Sequence, residues 1–81
     1  MVEGWPASVA DDEEAAALTA ELVSFRSYPG DEGPVQRAVA AWLADNGLRP
    51  ELHATAGDRP NVVARVENGS GPTLLLNGHV D

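Results

Sequence analysis

The residues in this chain best suited to chemistry are His79 and Asp81, at the end of the stretch Thr73–Asp81, TLLLNGHVD. A neutral imidazole is a common zinc ligand, and its second ring nitrogen usually needs a hydrogen-bonding partner to fix tautomer and orientation. In an extended segment, residues two apart project to the same side. Asp81 can therefore lie against the ring of His79 or point at the same metal. A His-x-Asp triplet is common, so the pair alone leaves two readings open: ligand and orienting acid, or a solvated histidine followed by an aspartate that caps a loop or helix. His53 is expected on the polar side of a different strand, as a surface residue.

Positioning such a pair calls for a sheet. Leu74, Leu75 and Leu76, bounded by turn residues, predict a strand buried on both faces, as in the middle of a helix-flanked sheet. Asn77 and Gly78 end it, and the carboxyl ends of strands are where open α/β sheets keep their ligand sites.

The elements upstream follow from periodicity and punctuation. Met1–Ala10 is expected to be a loose lead-in. Asp11 and Glu14 resemble a capping box, and Asp12 and Glu13 add negative charge where the helix dipole is positive. A helix is predicted from there to about Arg26, with Ala15, Leu18, Leu22 and Phe25 on its apolar stripe and Pro29-Gly30 stopping it. A second helix opens at Asp31–Pro34, capped by Asp31 or Gly33, with Pro34 in its first turn. Val35, Val39, Trp42 and Leu43 form its buried face, and Gly47 with Leu48 predicts a Schellman ending. From Glu51 the period becomes alternating, predicting a half-exposed strand to about Thr55 and a second over Asn61–Glu67. The short turn Asn68–Pro72 predicts that this strand pairs with Thr73–Asn77 as an antiparallel hairpin. The order expected is helix, helix, strand, strand, strand, an α/β arrangement.

Totals narrow the function. With 81 residues there is room for one small domain at most, and domains near this size bury only roughly 60–65% of their unfolded surface. Thirteen acidic against five basic residues give a net charge of −8, which opposes binding to nucleic acid or to an anionic membrane. There is no cysteine, which excludes disulfides, thiolate metal sites and a thiol nucleophile. The N-terminal stretch is acidic where a signal peptide needs basic residues, and no run approaches a membrane span. The expectation is a soluble cytoplasmic protein.

Three stretches, in order and spacing, carry a resemblance: ELVSFRSYPGDEGPVQRAVAAWLADNGL, then RPNVVARV, then GPTLLLNGHVD. From about Ala17 to Asp81 the chain resembles the N-terminal segment of the zinc-dependent exopeptidases and deacylases. These include acetylornithine deacetylase, succinyl-diaminopimelate desuccinylase, aminoacylase and the glutamate-releasing carboxypeptidases. The resemblance implies that residues 11–81 are the opening part of a three-layer catalytic α/β domain with a mixed sheet. It implies His79 as a zinc ligand and Asp81 as the active-site acid that orients its imidazole. The Ser27–Gly30 and Arg59–Asn61 matches are expected to be structural, and no organic cofactor site is expected. The complete family fold holds two Zn2+ ions, with Co2+ or Mn2+ as alternatives. Its substrate is a small peptide or N-acyl amino acid, and a further domain allows a homodimer. The family's other ligands and its general base lie beyond this first motif and have no counterpart in these residues, so the chain alone is expected to be inactive. Two other readings stand beside this one: a non-catalytic remnant or small acidic interaction module, and a piece that complements a separately encoded remainder.

Overall fold

A computed structural model of the chain describes residues 12–81; the expected lead-in and the capping residue Asp11 lie outside the described residues. Helix α1 spans Asp12–Val23 and α2 spans Gly33–Asp45. Two three-residue strands follow, β1 over Glu51–His53 and β2 over Asn61–Val63. The strands pair antiparallel, Leu52 opposite Val62 and His53 opposite Asn61. Helix α2 is the hub, packing against α1 and against both strands. No helix among the described residues is long and apolar enough to cross a membrane.

Helix α1 begins on three acids, Asp12, Glu13 and Glu14, which suit the positive end of its dipole. It ends at Val23, before the expected Arg26. The cause is local: the Ser24 hydroxyl donates to the Glu21 carbonyl at 2.5 Å, and the Phe25 N–H donates to Leu22 O at 3.2 Å. A serine hydroxyl that takes a last-turn carbonyl offers the backbone an exit from the helix. Leu18, Leu22 and Phe25 are half-buried, as their stripe predicts, whereas Ala15 is exposed.

A turn then redirects the chain. The Asp31 N–H donates to Tyr28 O at 2.8 Å, with Pro29 second in the turn and Gly30 third at φ +97°. That positive φ is what a type II turn demands of its third residue, so Gly30 is needed there. Helix α2 starts next, but neither Asp31 nor Gly33 caps it. Glu32 takes the N-cap position with helical φ and ψ and no side-chain cap, because its carboxylate is engaged elsewhere. At the other end the Schellman motif forms as its sequence predicts. Gly47 adopts φ +84° and donates to Ala44 O, and the Leu48 N–H reaches Leu43 O at 3.0 Å.

The core is small. Val35 is 1% exposed, the one fully buried large side chain among the described residues, while Val39, Trp42 and Leu43 are half-buried. The loop joining the strands is fastened back to α2 by Arg37 and Asp58, whose two nitrogens and two oxygens pair at 2.9 and 3.1 Å. The Asp58 carboxylate lies over Gly33, where a Cβ would overlap it. A negative group there is favoured by the helix N-terminus.

The third expected strand is not formed. Among the described residues Thr73–Asn77 has no ladder partner, and β2 pairs with β1 instead of making the expected hairpin. Strands β1 and β2 stop at three residues each, short of Thr55 and Glu67. Leu74, Leu75 and Leu76 are 81%, 82% and 85% exposed, the reverse of the predicted burial on both faces. A run apolar on both sides gains from forming a strand only when layers cover it above and below. Both helices lie with β1 and β2 or with each other, so neither supplies such a layer here.

Candidate functional site

His79 and Asp81 meet as their spacing predicts. His79 Nδ1 and Asp81 Oδ1 are 2.8 Å apart, although the segment carries no strand hydrogen bonds. An ionised carboxylate only accepts, so in the neutral ring Nδ1 carries the proton and Nε2 holds the lone pair. The His79 side chain is 84% exposed and Asp81 33% exposed. The free nitrogen thus faces solvent, and the acid lies closer to the body of the molecule.

Two upstream segments reach this pair. The Ser27 hydroxyl, half-buried after α1, donates to the Val80 carbonyl at 2.7 Å across 53 positions of sequence. On the other side, Arg59 precedes β2 and forks onto Glu32, with Nε 3.1 Å from Oε1 and a terminal nitrogen 3.0 Å from Oε2. Glu32 also accepts the Gly30 N–H at 2.5 Å, and its side chain is only 12% exposed. The Arg59 hydrogen bond holds the Glu32 carboxyl below its ordinary range, against burial that pushes it up. Arg59 is itself raised, first by Glu32 and to a smaller degree by the charge of Asp81. The loop behind Arg59 is closed by the Thr55 hydroxyl, which donates to Arg59 O.

Glu32, Gln36, Arg59, Asn61, His79 and Asp81 line a shallow cleft of about 160 Å³. Small-molecule sites usually run to several hundred Å³, so this cleft can hold part of a ligand and not enclose one. His53 stands apart on β1, exposed, with Nε2 3.1 Å from Glu51 Oε1 on the same side of the strand. It lies at the surface as its position predicts.

These donors suit a metal ion only in part. The imidazole of His79, held through Nδ1 with Nε2 open, fits one ligand position. A catalytic zinc takes about three protein ligands. Among the described residues no group of three or more His, Cys, Asp or Glu could hold a metal ion. The chain's own residues fit one ligand and its orienting acid, and they do not make a whole site.

The spacing of His79 and Asp81 gives the pair, whereas the Ser27–Gly30 and Arg59–Asn61 matches are expected only to be structural, with no link to it, and Glu32 carries no expectation. Ser27, Glu32 and Arg59 sit in segments whose composition signals turns and helix starts. Their convergence spans 27 and 53 positions, and no local pattern encodes that.

The chain is 38% identical over 73 residues to a succinyl-diaminopimelate desuccinylase of Leptothrix cholodnii, a match taking in 80% of this chain and 18% of that enzyme. The chain thus spans less than a fifth of the relative's length. No family model matches the chain, and no solved structure matches it.

Proposed function

We propose that residues 11–81 are part of the catalytic α/β domain of a metal-dependent amide hydrolase, an exopeptidase or N-acyl-amino-acid deacylase. The observation that carries this reading is a convergence. The Ser27–Gly30 turn, the Arg59–Asn61 segment and Gly78–Asp81 carry the family resemblance in sequence, and they come together around one histidine. The similarity to a desuccinylase, an enzyme that releases an acyl group from an amine, supports the same reaction class.

In this reading His79 contributes one metal ligand through Nε2, and Asp81 fixes the tautomer that leaves that nitrogen free. A bound divalent metal, Zn2+ or alternatively Co2+ or Mn2+, supplies Lewis acidity for the amide carbonyl and for water. The remaining ligands and the general base come from outside these residues. The substrate class is a small peptide or N-acylated amino acid. Leu74–Leu76 become a central strand of a mixed sheet once further layers cover them.

The test is the intact mass and metal content of the native product purified from its source. A mass several-fold above that of an 81-residue chain, with bound zinc, supports the proposal. In that protein His79→Ala is expected to lose metal and nearly all amide hydrolysis; retained metal and turnover would sink the ligand assignment. A metal-free product of 81 residues would leave the acidic interaction module as the better reading.

A further inference from the structure

We propose that Ser27 is a positioning residue for the His79–Asp81 pair, acting through the Val80 carbonyl; its relevance to metal binding rests on the reading of His79 as a ligand. The pair needs help from elsewhere because its own segment has no ladder to hold it. Two side chains two residues apart share a side only while the peptide between them keeps an extended orientation. The peptide group is planar, so fixing the Val80 carbonyl fixes the plane that joins Val80 to Asp81. Ser27 does this: its hydroxyl donates to Val80 O at 2.7 Å. Among the described residues, this is the hydrogen bond that ties Gly78–Asp81 to another part of the chain.

Ser27 is itself well placed to act as an anchor. It leads directly into the Tyr28–Asp31 turn, whose hydrogen bond is 2.8 Å and whose Gly30 N–H is gripped by Glu32. Glu32 is in turn held by Arg59, which lines the same cleft as Asp81. The hydroxyl is therefore the contact that directs the backbone of the pair, while Arg59, bound to Glu32, lines the cleft beside it. Only the hydroxyl sets the peptide plane, which is why Ser27 carries the proposal.

The experiment is the tautomer state of the neutral His79 ring, read from long-range nitrogen–proton NMR correlations in the 81-residue chain. The wild type is expected to show Nδ1–H, the form held by Asp81. Ser27→Ala is expected to lose that majority and move toward Nε2–H, the form an unpaired imidazole favours. Ser27→Thr, which keeps the hydroxyl, is expected to retain Nδ1–H. The Leu48 amide resonance, set by the Schellman ending of α2, reports whether the fold survives. Nδ1–H persisting in Ser27→Ala overturns the proposal, as does an Nε2–H majority in the wild type. If the alanine variant also disturbs Leu48, the threonine variant decides: Nδ1–H retained supports the role, and lost overturns it. The readout involves no metal, so failure here leaves the ligand assignment of His79 standing, and failure of that assignment leaves this result unchanged.

Discussion

Gly33–Leu48 and Thr73–Asp81 are both stretches in which apolar residues and a glycine determine the local outcome, yet they end up in opposite states. The first is a helix with a fully buried valine, a Schellman ending and ion pairs at its N-terminal half. The second has three exposed leucines and no ladder, and is held to the body through the Ser27 hydrogen bond to Val80. The difference lies in where each finds its partners. A helix satisfies its backbone within itself and needs one covered stripe, whereas a strand apolar on both faces needs neighbours at its edges and layers above and below.

Breaking the better-packed side should have the largest effect. Val35→Ala removes the one fully buried side chain among the described residues and is expected to cost about 1.5–3 kcal/mol. The check is a lowered urea midpoint with an unchanged slope. Gly47→Ala forces a side chain into a left-handed conformation at φ +84° and is expected to cost about 1–2 kcal/mol, visible as fraying of the last turn of α2 in amide exchange.

The ion pairs give the comparison a pH axis. Glu32 and Asp58 are both held below the ordinary carboxylate range, chiefly by hydrogen bonds from Arg59 and Arg37. For a depressed folded-state pKa, the stabilisation is complete above the unfolded value, about pH 4, and is lost as pH falls through the folded value. Urea midpoints should therefore be flat near neutrality and fall in acid, and Glu32→Gln should flatten that fall. An unchanged acid limb in Glu32→Gln would remove the Arg59 fork from the account.

The smallest effect belongs to the leucines. Leu75→Asn is expected to change stability by no more than about 0.5 kcal/mol, because an 82% exposed side chain has little burial to lose. It should also reduce self-association, since an exposed apolar run with open edges invites pairing. A loss as large as that of Val35→Ala would mean that the leucines are covered in solution, and the contrast between the two stretches would disappear.

The sequence by itself determined whatever could be settled within a few residues. Pro34 in the first turn, Gly47 after the last, the positive φ of Gly30 and the shared side of His79 and Asp81 all follow from local sterics or a two-residue period. Where the same reasoning went wrong, distant partners or local competition intervened. The cap of α2 passed from Asp31 or Gly33 to Glu32, whose carboxylate is held by Arg59, 27 positions away. Helix α1 stopped early because Ser24 took a carbonyl from its last turn. The leucine run is apolar enough to be a strand and has no cover to make it one. Only the tertiary structure decided that the Arg59 segment and the histidine pair share one cleft and that Ser27 bonds the peptide between the pair, because loops brought those segments together and no local period specifies where loops meet.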